Sequence, residues 1–204
     1  GKPLIAYTIE AAKNSKLIST YIVSTESEDI KNVSREYGAQ VPFIRPEELA
    51  TDMAASLPVI EHAVRIMEEK EKCRYDAIIM LQPTCPLRTD EDIDVCINTL
   101  FATGADSVIS VVDVGAHHPL RMKRIISGDR LINYIEQGSE DMRPRQVLPP
   151  TYIRNGAIYT VKRDVIMDGH SFIGADCRAH IMPIERSVNI DALEDLLLAE
   201  HYLK

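Results

Sequence analysis

Apolar residues along this chain follow two spacings, one helical and one extended. Segments with apolar residues three or four positions apart predict helices, and short continuous or alternating apolar runs predict strands. The predicted helices are Leu4 to Ala12, Thr25 to Tyr37, Leu57 to Glu69, Asp90 to Gly104, Arg163 to Asp168 and Ala192 to Leu203. The predicted strands are Tyr21 to Ser24, Val41 to Ile44, Ala77 to Gln82, Asp106 to Val114, Asn155 to Val161, Ala179 to Ile184 and Val188 to Ile190.

Turn and cap residues support several of these helix boundaries. Pro3 suits the first turn of the first helix, and Gly38 and Gly104 suit helix ends. The acidic run from Asp90 to Asp92 suits the positive end of a helix dipole. Helices and strands alternate over the first half of the chain, which is typical of an α/β fold with a mostly parallel sheet.

The pattern changes between Gly115 and Pro150. Apolar residues occur there in short pairs, separated by the turn sequences Gly128-Asp129 and Gly138-Ser139. A hairpin or antiparallel arm fits this pattern better than a helix does. Since no internal repeat or linker is visible, we predict one domain over residues 1–204, with residues 115–150 inserted as an arm.

Composition then excludes several classes of protein. The 204 residues include 23 Lys and Arg against 31 Asp and Glu, a net charge of −8, so we expect no nucleic-acid partner. Apolar runs are far shorter than the roughly 20 residues of a membrane span, so we expect no membrane partner. The four cysteines lack zinc-site spacing and the density of a disulfide framework, which favours a reducing, cytoplasmic location. No Walker loop, dinucleotide-binding loop or serine nucleophile elbow occurs.

The first candidate for chemistry is the loop LQPTCPLRT, which directly follows the apolar strand at Ala77. Ligands of open α/β sheets bind beyond the carboxyl ends of strands, and two prolines restrict the backbone of this loop. Gln82 and Arg88 are therefore candidate ligand-binding residues. The alternative is a stiff strand-to-helix connection with Arg88 exposed to solvent.

A second candidate is the segment SVNID, before the last helix. In an extended strand Asn189 and Asp191 face the same side, where their oxygen atoms could hold one Mg²⁺ ion. The alternative is a capping box formed by Asp191 and Glu194 at the start of the helix, which needs no metal.

Basic residues are concentrated on the predicted arm, although the chain as a whole is acidic. The guanidinium groups of Arg121, Arg143 and Arg145 suit a carboxylate or phosphate ligand. A solvated, charged hairpin is the alternative. Beyond the arm, Gly156 lies inside a predicted strand, which often marks close approach of backbone or ligand, and Asn155 beside it offers a donor and an acceptor.

Taken together, these stretches resemble the acylneuraminate cytidylyltransferase family, whose members make CMP-activated nonulosonic acids. The similarity covers nearly the whole chain, in the segments GKPLIAYTIEAA, YIVSTESEDI, YGAQVPFIRPEELATD, LQPTCPLRT, ADSVISV, RPRQVLP, NGAIY and SVNIDALEDLLLAE. The resemblance implies a three-layer α/β sandwich of the nucleotide-diphospho-sugar transferase type, with a mostly parallel sheet and a protruding dimerisation arm. It also implies a homodimer in which one subunit's arm helps to form the other's sugar site, and a requirement for Mg²⁺.

The activity implied by the resemblance is that of an N-acylneuraminate cytidylyltransferase. The anomeric hydroxyl of a nine-carbon keto sugar acid attacks the α-phosphate of CTP and pyrophosphate leaves, a transfer that depends on alignment and charge stabilisation. By position, Asp191 and Asn189 would hold the metal, and Asp191 and Arg145 are the expected catalytic residues. The expected binding residues are Gln82, Arg121, Arg145, Gln146 and Asn155 for the sugar acid, and Arg45, Asp52 and Ser56 for CTP.

Two departures from the family pattern modify these expectations. The family's first strand and phosphate-binding loop, which contains Gly, Ser and Lys, precede the GKPL segment and do not occur in this chain. We therefore expect weak CTP binding by these residues alone, and an N-terminus missing from the chain. Asn189 stands where the family has an aspartate, which predicts weaker or water-mediated Mg²⁺ binding. The alternatives are a legionaminic or pseudaminic acid substrate, or a degenerate, non-catalytic dimeric binding protein.

Overall fold

The computed structural model describes residues 1–51, 53–136 and 142–203. Its helices are α1 (Leu4–Asn14), α2 (Glu28–Glu36), α3 (Ser56–Glu71), α4 (Asp90–Thr103), α5 (Arg163–Met167) and α6 (Leu193–Tyr202). Its strands are β1 (Ala77–Met80), β2 (Ser107–Asp113), β3 (Lys123–Ile125), β4 (Leu131–Asn133), β5 (Tyr152–Lys162) and β6 (Cys177–Ile181). The predicted helices are confirmed, with ends that differ by a few residues. Within the described ranges, no helix has the length and apolar character needed to cross a membrane.

Capping interactions account for the ends of α4. Thr89 Oγ1 accepts the backbone N–H of Asp92 at 3.2 Å, and the Asp92 carboxylate accepts the backbone N–H of Thr89 at 3.0 Å. This reciprocal capping box satisfies two backbone donors at the start of the helix. At the other end Gly104 adopts a left-handed conformation with φ of 70°, which a glycine tolerates without strain.

The main sheet has the strand order β1-β5-β2-β6 and is mixed. Strands β1 and β2 both pair antiparallel to β5, and β6 pairs parallel to β2. Strands β1, β2 and β6 thus run in one direction and β5 runs against them. The reason is that the arm connects β2 to β5 at one end of the sheet, so the chain returns beside β2 as it does in a long hairpin.

The predicted strands Tyr21 to Ser24 and Val41 to Ile44 are wrong. In the described residues these segments share one parallel bridge, between Ile22 and Gln40. Pro42 has no N–H to donate, which limits further pairing of the second segment.

Two strand predictions near the end of the chain also need correction. The strand predicted at Ala179 to Ile184 forms a few residues earlier, as β6, because Pro183 cannot donate to a sheet. The segment Val188 to Ile190 is irregular instead of extended in a sheet.

Apolar packing places the sheet between two layers of helices. On one face, α1 and α4 pack against β2 and β5 around Ile93, Leu100 and Ile158. On the other face, α3 and α5 pack against the sheet around Ile109 and Tyr159. This arrangement confirms the three-layer α/β sandwich.

The arm contains the predicted hairpin. Strands β3 and β4 pair antiparallel, with Lys123 opposite Asn133 and Ile125 opposite Leu131. Short 3-10 turns at Pro119–Arg121 and Arg145–Val147 lie on either side of the hairpin along the chain. The hairpin is confirmed for the described part of residues 115–150, and its role in dimerisation stays a prediction.

Candidate active site

Arg88 is the buried centre of the loop that follows β1. It is 4% exposed, and its guanidinium donates to Ala157 O at 2.9 Å, to Thr8 Oγ1 at 2.7 Å and to Gln82 O. Burial lowers the pKa of Arg88 to about 10, because it disfavours the charged form. Arg88 is therefore neither an exposed loop residue nor a group available to a ligand. It ties α1, the loop and β5 together.

A left-handed backbone at Gly156 lets Gln82 approach β5 closely. Gly156 has φ of +79°, and a Cβ at this position would lie 2.6 Å from Gln82 Oε1 and 3.3 Å from Cys85 Sγ. A side chain at this position would strain the backbone and would displace the end of the Gln82 side chain. Gln82 thus packs on the glycine backbone, and its carboxamide makes no hydrogen bond to any described residue.

The Asn155 side chain, on β5, is held by hydrogen bonds to two other segments of the chain. Its Oδ1 accepts the Ser110 hydroxyl at 2.6 Å, and its Nδ2 donates to Ser187 Oγ at 2.9 Å. Asn155 is buried, and these bonds engage both ends of its amide. The contacts join β2, β5 and the segment before Asn189. Binding of the sugar acid by Asn155 stays a prediction.

Asn189 and Asp191 lie side by side in the irregular segment after β6, although the extended strand that was predicted to align them does not form. Asn189 Nδ2 donates to Asp191 Oδ2 at 2.6 Å, and Asn189 Oδ1 accepts from the Cys85 thiol at 3.3 Å. Burial raises the pKa of the Cys85 thiol, which therefore keeps the proton that it donates. The backbone N–H of Ile190 donates to Thr84 O at 2.8 Å, so this segment is joined to the loop after β1.

The helix cap predicted for Asp191 and Glu194 is formed by Asp195 instead. The Asp195 carboxylate accepts the backbone N–H groups of Asp191 at 3.0 Å and of Ala192 at 2.9 Å. The helix therefore begins one residue later than the capping-box prediction required. The Asp191 carboxylate does not cap the helix and turns toward Asn189.

These elements surround a cleft of about 340 Å³. Its lining combines hydrogen-bonding side chains with two apolar ones, namely Gln82, Val112, Ile153, Arg154, Asn155, Gly156, Tyr159, Ser187 and Asn189. Of the residues predicted from sequence, the structure brings Gln82, Asn155 and Asn189 together here, with Asp191 bonded to Asn189.

Sequence reasoning missed Arg154 and Tyr159 in this cleft. Arg154 is exposed, and its guanidinium has no ion pair or hydrogen bond with any described residue. A free guanidinium beside an amide-bearing side chain suits a carboxylated, hydroxylated ligand. The available signal was the position of Arg154 directly before Asn155 and Gly156, where the pairing of β5 with β2 shifts register.

The other predicted site residues lie outside the lining of this cleft. Arg121 and Gln146 are exposed on the arm, and Arg121 donates to Arg143 O at 3.0 Å. Arg145 is also exposed, with Nη2 3.9 Å from the position of a Cβ built on Gly115. Their roles stay predictions.

The residues predicted to bind the nucleotide are separate from the cleft lining as well. Arg45 is partly buried and donates to Ser24 O, with Glu26 Oε2 3.7 Å from its Nη2. Ser56 is exposed at the start of α3. Asp52 lies outside the described residues.

Comparison with protein families gives a match over most of the chain. Residues 1–170 match the family described as cytidylyltransferase.

Three curated relatives show similarity along almost the full length of this chain. The post-translational flagellin modification protein B of Campylobacter coli is 32% identical over 201 residues, 98% of this chain and 84% of that protein. The CMP-N,N'-diacetyllegionaminic acid synthase of Legionella pneumophila is 31% identical, over 100% of this chain and 86% of that protein. The N-acylneuraminate cytidylyltransferase of Escherichia coli is 32% identical over 97% of this chain, which spans only 45% of that protein.

Two solved structures share the fold over 100% of this chain. A CMP:2-keto-3-deoxy-manno-octonic acid synthetase complexed with CTP superposes with a TM-score of 0.65 at 16% identity, and 89% of its chain is covered. The 4-diphosphocytidyl-2C-methyl-D-erythritol synthase of Anaerococcus prevotii superposes with a TM-score of 0.70 at 12% identity, and 86% is covered. These similarities support the nucleotidyltransferase-type sandwich.

Proposed function

The chain belongs to the cytidylyltransferase family, and we propose that it transfers CMP from CTP to the anomeric hydroxyl of a nonulosonic acid, releasing pyrophosphate. The match of residues 1–170 to that family carries the proposal. The cleft supports it, because polar side chains meet there beyond the end of β1, where α/β sheets bind ligands.

Gln82 and Arg154 are the side chains best suited to hold the sugar acid. The Gln82 carboxamide can both donate to and accept from a hydroxyl or an N-acyl group, and it has no competing hydrogen bond among the described residues. The Arg154 guanidinium can bind a carboxylate through two parallel hydrogen bonds. Asn155 and Ser187, which bond to each other at 2.9 Å, would keep the wall behind the sugar in place.

Asp191 and Asn189 would hold Mg²⁺. Among the described residues, no three His, Cys, Asp or Glu side chains are grouped to bind a metal. One carboxylate and one amide oxygen nevertheless fit Mg²⁺, which commonly keeps waters and binds substrate phosphates beside one or two protein ligands. The amide of Asn189 would have to turn its oxygen from Cys85 toward the ion. When bound, the ion would neutralise charge on the phosphate oxygens.

The transfer itself forms one bond and breaks one bond. The oxygen of the anomeric hydroxyl bonds to the α-phosphorus of CTP, the bond from that phosphorus to the pyrophosphate oxygen breaks, and the proton of the hydroxyl is released to water. Such a transfer is accelerated when the attacking oxygen is held in line with the leaving pyrophosphate and when charge on the phosphate oxygens is neutralised. Asp191 and Arg145 as catalytic residues, and Arg45 and Ser56 as CTP-binding residues, are part of this proposal.

We further propose that the active form is a homodimer joined through the arm. Ile125, Leu131 and Tyr134 on the hairpin are 72%, 60% and 63% exposed, an uncovered apolar surface of the kind found at protein interfaces. In such a dimer the arm residues Arg121, Arg145 and Gln146 would reach the partner's sugar site, which accounts for their distance from the cleft of their own chain.

Legionaminic acid is a second candidate substrate. Its exocyclic side chain carries an additional N-acyl group and a terminal methyl group where sialic acid carries hydroxyls. The apolar Val112 and Ile153 in the cleft lining suit the methyl parts of such groups, and the Legionella relative is a CMP-N,N'-diacetyllegionaminic acid synthase. The side chains of Ile153, which is exposed, and of Val112, which is partly buried, offer no hydrogen bond to a hydroxylated sugar side chain.

A pyrophosphate-release assay tests the proposal. The full-length protein is incubated with CTP, Mg²⁺ and, in turn, N-acetylneuraminic, legionaminic, pseudaminic and 2-keto-3-deoxy-octonic acids. We expect release with a nine-carbon acid, and the preferred acid distinguishes the two candidates. Absence of release with every nine-carbon acid would contradict the proposal and favour a non-catalytic binding protein.

A further inference from the structure

Asp92 is a buried carboxylate that the proposed reaction does not use. It lies in the first turn of α4 and is 3% exposed. Its oxygens accept from Thr89 N–H at 3.0 Å and from Thr89 Oγ1 at 3.0 Å, and they lie 3.0 Å from His180 Nε2. Arg186 then donates from Nε at 3.1 Å and from Nη2 at 2.9 Å, one bond to each oxygen.

The hydrogen bonds from Arg186 to Asp92 are not needed to cap α4. Thr89 alone completes the capping box, which needs no arginine. Arg186 belongs to the Ile184–Arg186 turn, which directly precedes the segment carrying Asn189 and Asp191. Its two parallel bonds fix both the position and the orientation of the turn relative to α4, because a guanidinium and a carboxylate pair in one plane.

The segment beyond Arg186 is held at successive points along its length. Ser187 Oγ accepts from Asn155 at 2.9 Å, Asn189 Oδ1 accepts from Cys85 at 3.3 Å, and Ile190 N–H donates to Thr84 O at 2.8 Å. The last two contacts lead to the loop after β1, and the first leads to β5. The bonds from Arg186 to Asp92 are the first of these contacts along the segment, and they attach it to α4, which lies outside the cleft lining.

We propose that Asp92 and Arg186 are positioning residues, which hold the Asn189–Asp191 pair where it can bind the magnesium complex of CTP. The inference rests on the proposed function. Neither residue lines the described cleft, so both act through the segment between Arg186 and Asp191. Replacing residues that orient metal ligands without touching the metal commonly lowers metal affinity by about 10-fold to 100-fold.

The test uses Arg186→Lys in the full-length protein, with Arg178→Lys as the matched control. Arg178 also bonds an aspartate through Nε and Nη2, but the side chain of its partner Asp176 is exposed, and the Asp176 backbone N–H donates to Asp106 instead of to α4. Calorimetry measures CTP affinity with Mg²⁺ and with EDTA, and the ratio of the two gives the magnesium-linked gain. We expect Arg186→Lys to reduce this gain about tenfold, with CTP affinity in EDTA unchanged, and Arg178→Lys to reduce neither.

Several outcomes separate this inference from the proposed function. A wild-type protein without magnesium-linked CTP binding overturns both. A normal wild type with an unchanged gain in Arg186→Lys, or with equal losses in Mg²⁺ and in EDTA, overturns only the positioning role. If Arg186→Lys melts well below the wild type, Arg186→Gln repeats the test at this partly exposed side chain. Asp92→Asn combined with Arg186→Lys should reduce the gain no further than the larger single effect, because the two residues act as one pair.

Discussion

The wall of the cleft, formed by the residues around Gly156 on β5 and the loop after β1, differs from the arm in its contacts. The buried polar side chains of the wall have hydrogen-bond partners within the chain, and several apolar side chains of the hairpin are exposed to solvent. Around Gly156 the buried polar groups of Arg88, Asn155 and Ser110 all bond to other groups of the same chain. On the hairpin, large apolar side chains such as Ile125 and Leu131 stay exposed. The buried polar groups of the wall are therefore satisfied within one chain, whereas the hairpin keeps apolar surface that a partner would cover in the proposed dimer. Substitutions in the wall should change folding stability, and substitutions in the arm should change association.

The largest effect is expected when Arg88 is replaced. Arg88→Met leaves the acceptors on Thr8, Gln82 and Ala157 buried without a donor, and should lower the free energy of unfolding by about 3 kcal/mol. Urea denaturation measures this loss. Arg74→Met is the control, because its ion pair with Asp164 is exposed to solvent and should contribute little to stability. Equal losses in both variants would contradict the role of Arg88 as a buried connection.

Replacing Gly156 should have the next largest effect. Gly156→Ala adds a Cβ at φ of +79° that meets Gln82 and Cys85, so we expect a loss of about 2 kcal/mol and a displaced Gln82. Gly128→Ala isolates backbone strain, because Gly128 has φ of +66° and no atom within 4 Å of its Cβ position. A Gly156→Ala variant as stable as Gly128→Ala would show that the close approach of Gln82 contributes nothing.

Much of the fold could be predicted because its signals are local. Helix α4 was located correctly, since Gly104 and the acidic residues after Thr89 act within one turn. The direction of β5 could not be predicted, because the same apolar run fits a parallel and an antiparallel strand. The arm determines the direction, since it brings the chain back beside β2. The burial of Arg88 was also missed, since its partners Thr8 and Ala157 are 80 and 69 residues away.

The candidate site was only partly predictable for a similar reason. Gln82, Asn155 and Asn189 belong to short motifs and meet in the cleft. Arg154 was missed because its place in the cleft depends on the register shift between β2 and β5, which the sequence pattern does not indicate. The cap on α6 was assigned to Asp191 instead of Asp195, since neighbouring acidic residues satisfy the same spacing rule within one residue.

A substitution in the arm should change association with little effect on the stability of the chain. Ile125→Asp places a charge on the exposed hairpin surface, and we expect analytical ultracentrifugation to show a shift from dimer to monomer. Ile30→Asp, at another partly exposed apolar residue on α2, is the control and should stay dimeric. A wild-type protein that sediments as a monomer, or an Ile125→Asp dimer, would contradict the interface.

The smallest expected effect concerns pH. Burial favours the neutral form of Asp92, but hydrogen bonds from His180, Arg186 and Thr89 outweigh it and hold the pKa of Asp92 below its ordinary value of 3.8. Because the folded pKa is lowered, this stabilisation is complete above the unfolded pKa and is lost as pH falls toward the folded one. The free energy of unfolding should therefore decrease below about pH 4, with a flatter profile in Asp92→Asn. Parallel profiles for the two proteins would contradict the assignment.

A crystal structure of the full-length protein with its CMP-sugar product most directly tests the central claim, that the cleft beside Gly156 binds the sugar acid of a CMP transfer. We predict that the sugar contacts Gln82 and that its carboxylate is bound by arginine, from Arg154 or from the partner's arm. A product bound away from Gln82, or a cleft that stays empty while the product occupies another surface, would contradict the account.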